Sequence, residues 1–268
     1  MDEALLKLSP SSATDFKSCP QRFKFRSIDR IEEPVSVGQA RGSLVHLALQ
    51  HLFALPPRER TPQRATRLVD ELWAEQSGDE EWTPSELSPD KEQEWLDESR
   101  RLLNNLFALE DPREVTASRL EWWVEYELAE VALRGIIDRV EEQANGEWIL
   151  TDYKTGRVPG EARELTAFFG LRFYALVCWR AFGVMPREIR LVYLSDPAVL
   201  TLNPHERMLL AFEKQIVALT AAIRRALAKG DWRARPSPFC MSCAFQALCP
   251  AWAAVPTSQA EGPPESGP

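Results

Sequence analysis

The stretch ALRGIIDRVEEQANGEWILTDYKTG, residues 132–156, decides how the rest of the chain is read. Two runs of β-branched, aliphatic and aromatic residues flank Asn145-Gly146, a pattern that predicts a β-hairpin. On its second strand the side-chain period of two sets Asp152 and Lys154 on one face and Tyr153 on the other. The turn decides whether Asp138 joins them. A loop of Asn145-Gly146 alone places Asp138 opposite Tyr153, whereas a loop of Ala144-Asn145-Gly146, with Gly146 left-handed, places it opposite Asp152. The second register is expected. Two carboxylates that close repel unless positive charge lies between them, and a hard divalent cation with oxygen ligands is the fitting occupant. An ordinary solvated hairpin explains neither an acid and a lysine so placed inside an apolar strand nor the desolvation they would suffer without a partner.

Gly135-Ile136-Ile137-Asp138-Arg139 and Asp152-Tyr153-Lys154-Thr155-Gly156 resemble the G-x-x-D-R and D-Y-K-T-G motifs of the PD-(D/E)XK nuclease superfamily, in particular its RecB-like branch. Upstream, Gly42-Ser43-Leu44-Val45-His46 is similar to that branch's G-x-x-x-H motif. The resemblance implies an α/β, restriction-endonuclease-like core, a mixed central sheet flanked by helices. It implies that His46, Asp138, Asp152 and the Tyr153 carbonyl hold Mg²⁺ or Mn²⁺, and that Lys154 orients the attacking water. The branch also carries Q-x-x-x-Y. Tyr174 matches its tyrosine, which implies a further catalytic residue, while the glutamine position is Gly170.

A chain of 268 residues with 44% apolar content can bury one large core, so a single nuclease domain over residues 1–253 is expected. No run approaches the roughly 20 apolar residues of a membrane span. Met1-Asp2-Glu3-Ala4 lacks the basic-then-apolar character of a signal peptide, and a cytoplasmic protein is expected. Five cysteines are too few for a secreted disulfide scaffold and read as ligands or core residues. The net charge of −8 opposes nucleic-acid binding, which is driven by phosphate neutralisation. Two local clusters run the other way, Arg22, Lys24 and Arg26, then Arg224, Arg225, Lys229, Arg233 and Arg235, each readable as DNA contacts or as a solvated face.

Ser9-Pro10-Ser11-Ser12 opens a helix expected to run to residue 26, with Cys19 midway along its apolar side. Residues 39–55 carry Leu44, Val45, Ala48, Leu52 and Phe53 at helical spacing and predict the helix that holds His46. Residues 58–110 read as a helical insertion, with helices 62–76 and 89–109, forming a cap over a substrate channel. From 119 to 133 apolar and acidic residues alternate as one strand, in which Glu121 or Glu125 is a candidate further acid, against a solvated face. Residues 162–182 predict one buried helix with Cys178 as a core thiol, followed by a strand at 188–194 and a helix at 204–229. The tail, 254–268, has the composition of a disordered segment.

Cys240, Cys243 and Cys249 are one thiol short of a closed tetrahedral site. Cys19, which precedes Pro20 as Cys249 precedes Pro250, is the natural fourth ligand. One N-terminal and three C-terminal cysteines resemble the 4Fe-4S pattern of the AddB subunit of AddAB helicase-nucleases and of CRISPR-associated RecB-like nucleases. That resemblance implies a structural iron-sulfur cluster, with zinc as the rival occupant because it too accepts four thiolates.

The motifs follow one another in order between Ser9 and Pro250. Together they imply a metal-dependent deoxyribonuclease, an exonuclease on single-stranded DNA ends with a role in DNA repair or recombination. Gly170 and the acidic balance support a rival reading, a catalytically weak or inactive iron-sulfur module for DNA binding or assembly. No G-x-x-x-x-G-K-S/T loop occurs, so an ATP-driven helicase would have to be a separate partner.

Overall fold

The computed structural model describes residues 6–79, 82–84 and 86–253, and the tail from residue 254 lies outside the described residues. The elements run β1 (Leu6–Leu8), α1 (Pro10–Ser18), α2 (Pro20–Phe23), α3 (Val37–Ala54), α4 (Pro62–Gln76), α5 (Pro89–Leu109), β2 (Arg119–Leu128), β3 (Val131–Glu142) and β4 (Trp148–Lys154). They continue as α6 (Glu164–Ala167), α7 (Phe169–Phe182), β5 (Glu188–Tyr193), β6 (Ala198–Leu202), α8 (Glu206–Lys229) and α9 (Pro250–Ala253). The chain divides into two compact units, one holding the segment up to Pro10 and Pro34–Thr220, the other Ser11–Glu33 and the segment from Ala221.

The first unit is built on a mixed sheet in the order β1-β3-β4-β5-β6, with β2 on the other edge of β3. β1 runs parallel to β3 and β4 parallel to β5, and the other neighbours are antiparallel. In the hairpin Arg139 pairs with Thr151 and Glu142 with Trp148. Gln143 N–H donates to the Glu147 carbonyl at 2.8 Å, and Gly146 takes φ +81°, a conformation open to glycine without steric cost. The loop is therefore Ala144–Gly146, and the register sets Asp138 across from Asp152 at the point where the β3–β4 ladder ends.

Helices cover both faces of this sheet. The connection from β4 to β5 lays α7 along β2, β3, β4 and β5. On the opposite face α3, α4 and α5 share one apolar core with Tyr153, Val192 and Leu194 of the sheet. The helical pair read from sequence as an inserted cap is thus a layer of the core, and its boundaries follow the caps. Thr61 accepts from Arg64 N–H at the start of α4, with Pro62 as first residue, and Pro89 opens α5. α3 begins two residues before its apolar period because Ser36 and Gln39 form a reciprocal capping box. No helix among the described residues is long and apolar enough to cross a membrane.

Three elements depart from the sequence reading. Residues 119–133 are two strands, not one, because Ala129 and Glu130 both adopt positive φ (48° and 62°) and turn the chain back on itself. A tight turn of that kind needs left-handed residues and usually announces itself with Asn or Gly. The apolar run 162–182 breaks at Phe168, two residues before Gly170, a poor helix former, and leaves Leu165 67% exposed. The N-terminal helix breaks at Cys19, which is extended (φ −155°, ψ 105°) because Pro20 excludes the helical conformation from the residue before it.

Inside the second unit, Phe23 packs between Phe16 (5.4 Å) and Trp232 (6.1 Å), and Phe25 meets Phe245 at 5.4 Å. Arg22 and Arg26 both bind Asp15 and Glu33, and Lys24 binds Asp29 at 2.5 Å. The N-terminal basic cluster is therefore neutralised within its own unit.

Candidate active site

Leu120 and Arg139 form a directly paired couple across β2 and β3 and turn toward the α3 layer. Leu120 packs on that core, and the Arg139 guanidinium lies 4.6 Å from the Phe53 ring. Two residues further along the same strands, the pair Trp122–Ile137 turns to the other face, where Trp122 packs on Trp148 (5.6 Å) and Phe182 (5.0 Å). Residues two apart on a regular strand share a face, so the alternation resets between the two pairs, at Glu121 and Asp138. Glu121 has φ +42°, a left-handed conformation that costs a side-chain-bearing residue about 1–3 kcal/mol. The strain falls beside the end of the β3–β4 ladder, where carboxylates gather.

His46, on α3, places Nδ1 3.4 Å from Asp138 Oδ2 and Nε2 3.1 Å from the Tyr153 carbonyl oxygen. Tyr153 N–H donates to Asp138 Oδ2 at 2.7 Å. One donor atom from each of His46, Glu121 and Asp138 lies within 4.8 Å of the others. Asp152 is ion-paired with Lys154. Of the two acids that sequence could not separate, Glu121 joins this group, and Glu125 pairs in the ladder with Arg134. Trp82, from the segment between α4 and α5, lines an open cavity of about 410 Å³ with Gly42, Ser43, His46, Leu47, Gln50 and Glu121; no motif pointed to it.

The charges strain against one another. Burial lowers the His46 pKa, but Asp138, then Asp152 and Glu121, more than reverse this and raise it to about 9. Burial lifts the Glu121 carboxyl, and Asp138 adds to the rise. Asp152 is raised by burial, with the Lys154 ammonium opposing and Asp138 reinforcing. Burial disfavours the Lys154 charge, yet Asp152 holds its pKa above the ordinary value. Two carboxylates and one imidazole converge here as a donor set suited to a hard divalent cation, and the acid–acid repulsion is what such a cation would relieve.

Two residues hold the site from behind. The Arg139 side chain is fully buried, forks onto both carboxylate oxygens of Glu110, and bonds Glu141 (3.0 Å) and the Tyr153 hydroxyl. It thereby ties β3 to β4 next to Asp138 and Asp152. Tyr174, from α7, lies over Gly135, where a Cβ would sit 2.6 Å from the ring Cε1 and 2.9 Å from the hydroxyl. Burial, then Asp152 and Asp138, raise the pKa of its hydroxyl, with the Ile136 backbone opposing. Gly135→Ala is accordingly expected to displace this ring and cost about 1–3 kcal/mol, read as a lower denaturant midpoint at unchanged slope. Gly170, one turn before Tyr174, offers no side chain to the site.

In the second unit Cys19, Cys240, Cys243 and Cys249 line one cavity of about 360 Å³. Arg235 N–H points to Cys19 Sγ at 3.4 Å and Ser237 N–H to Cys240 Sγ at 3.3 Å. Among the described residues, no three of these sulfurs lie within 4.8 Å of one another. Cys178 is buried in the first unit, and burial pushes its thiol up to about 12.

A protein provisionally named an exonuclease, from Eubacterium rectale, is similar in fold, with a TM-score of 0.57 at 11% identity over 97% of this chain and 91% of that one. The SSO0001 protein aligns with a TM-score of 0.46 at 16% identity over 94% and 88% of the two chains. No curated protein matches the chain. The family model of the PD-(D/E)XK nuclease superfamily matches residues 7–250, a span that includes the acids, His46, Lys154 and all five cysteines, and the chain belongs to that superfamily.

Proposed function

We propose that this nuclease hydrolyses DNA phosphodiesters with Mg²⁺ or Mn²⁺, as an exonuclease on single-stranded ends. The observation that carries the proposal is the convergence of His46, Glu121 and Asp138 beside the Asp152–Lys154 pair, at the reset in β2 and β3. His46, Glu121, Asp138, Asp152 and the Tyr153 carbonyl would hold the cation. The chemistry such an ion supplies is polarisation of the scissile phosphate and a lower pKa for the attacking water. Lys154, kept charged by Asp152, orients that water. The water oxygen bonds to phosphorus, the bond to the 3′ oxygen breaks, and one water proton ends on the 3′ hydroxyl. Tyr174, whose ring lies over Gly135 behind the acids, serves as a positioning residue.

The test is incubation of end-labelled linear and circular single-stranded DNA with Mn²⁺. Metal-dependent shortening of the linear strand with the circle intact is the expected result. Cutting of the circle would make the enzyme an endonuclease. Two intact strands would favour the rival scaffold reading, for which Gly170 is the supporting residue.

The four cysteines we read as ligands of a structural 4Fe-4S cluster. All four line one cavity of the second unit, which supports a centre shared among them, with zinc as the rival occupant. Cys243→Ser is expected to remove the visible iron-sulfur absorbance and lower the thermal midpoint, because metal binding is linked to folding. Stoichiometric zinc without iron in anaerobically purified protein would contradict the cluster. Work on recombination or repair intermediates with a separate helicase fits a chain with no phosphate-binding loop of its own.

A further inference from the structure

Trp123 and Ile136 are a cross-strand pair on β2 and β3, and they are 52% and 43% exposed. Single exposed apolar residues need no explanation, but adjoining ones beside a reactive site do. Trp122 and Gly135, their neighbours in the chain, face α7, so Trp123 and Ile136 face the opposite side of the sheet. The same strands lead from this pair to Glu121 and Asp138 in two residues, a distance of about 7 Å. The Arg134 guanidinium lies 5.7 Å from the Trp123 ring centroid.

The electrostatics of this region make an aromatic surface useful. The acid cluster repels phosphate, and Glu125 stands opposite Arg134 in the ladder. Charge neutralisation is therefore a weak source of affinity here, whereas stacking of a base on an indole depends little on the sign of the surroundings. A stacked base also requires an unpaired strand, since a duplex offers no free base face.

We infer that Trp123, backed by Ile136 and flanked by Arg134, is the platform on which a base adjoining the scissile phosphate of single-stranded DNA stacks. The inference deepens the nuclease reading and rests on it for the placement of the scissile phosphate. The experiment is fluorescence anisotropy with labelled oligo-dT and with an abasic strand of equal length, which keeps the phosphates and lacks bases. Both are titrated with wild type, Trp123→Ala and Trp123→Phe in Ca²⁺, and wild-type cleavage of both strands is followed in Mn²⁺.

Trp123→Ala is expected to weaken oligo-dT binding by about tenfold to a hundredfold, to leave abasic binding unchanged, and to be largely rescued in Trp123→Phe. An alanine variant that binds oligo-dT as tightly as wild type overturns the platform, as does one that loses both strands equally. If base-dependent loss is seen while wild type cleaves neither strand in Mn²⁺, the platform stands and the nuclease reading falls.

Discussion

Asp138→Asn is expected to lower metal-dependent DNA cleavage by about a thousandfold or more with little change in stability. The amide oxygen can still accept from Tyr153 N–H, the bond that Asp138 makes at 2.7 Å, so the local backbone keeps its partner. What the variant removes is the negative charge beside His46 and Glu121, and with it the pull on a cation. Lys154→Ala is expected to fall to the same level with cation binding retained, because its role is to orient the water. Single-turnover cleavage measured alongside circular dichroism separates lost chemistry from lost structure. Cleavage by Asp138→Asn within a few-fold of wild type would remove the acid cluster from the reaction.

The largest expected loss of stability belongs to Arg139→Ala, at about 3–5 kcal/mol, the usual cost of breaking a buried ion network by deleting one partner. Glu110 and Glu141 would lose their shared cation, and the Tyr153 hydroxyl its donor, all beside the Phe53 ring. Arg139→Lys restores charge without the fork that meets both Glu110 oxygens, and should recover only part of the loss. Urea unfolding reads both. A midpoint for Arg139→Ala equal to wild type would show that water already screens Glu110 and Glu141.

Local chemistry decided which parts of this architecture could be read in the sequence. Asn145-Gly146 carries its own backbone preference, so the hairpin was legible from residues alone, whereas its register depended on whether Ala144 joined the loop, and the Arg139–Thr151 pairing with Gly146 left-handed is the arrangement that sets Asp138 across from Asp152. Thr61-Pro62 and Pro89 marked two helix starts in the same way. The Ala129-Glu130 turn was hidden because its residues prefer other conformations and are held left-handed by the strands on either side. The short β1 and the half-exposed β6 carry too little pattern to stand out from loop.

The same distinction runs through the site. His46, Asp152, Lys154 and Asp138 sit in motifs, whereas Glu121 joins them through a reset of strand alternation that no periodicity predicts. Alternation alone put Glu121 and Glu125 on equal terms; packing of Leu120 on one face and Trp122 on the other separates them. Pro20 was a readable signal for the break at Cys19, yet the apolar period of Phe16, Phe23 and Phe25 masked it, since all three rings are still buried. Trp82 and Trp123 lie outside every motif and are found only by where the fold leaves them.

Mn²⁺ anomalous diffraction from soaked crystals tests most directly whether the acids between the α3 and α7 layers hold a catalytic divalent cation. A peak bounded by the His46 imidazole, the Glu121, Asp138 and Asp152 carboxylates and the Tyr153 carbonyl is the predicted result. A map with no peak at that position, from crystals that take up Mn²⁺ elsewhere, would contradict it.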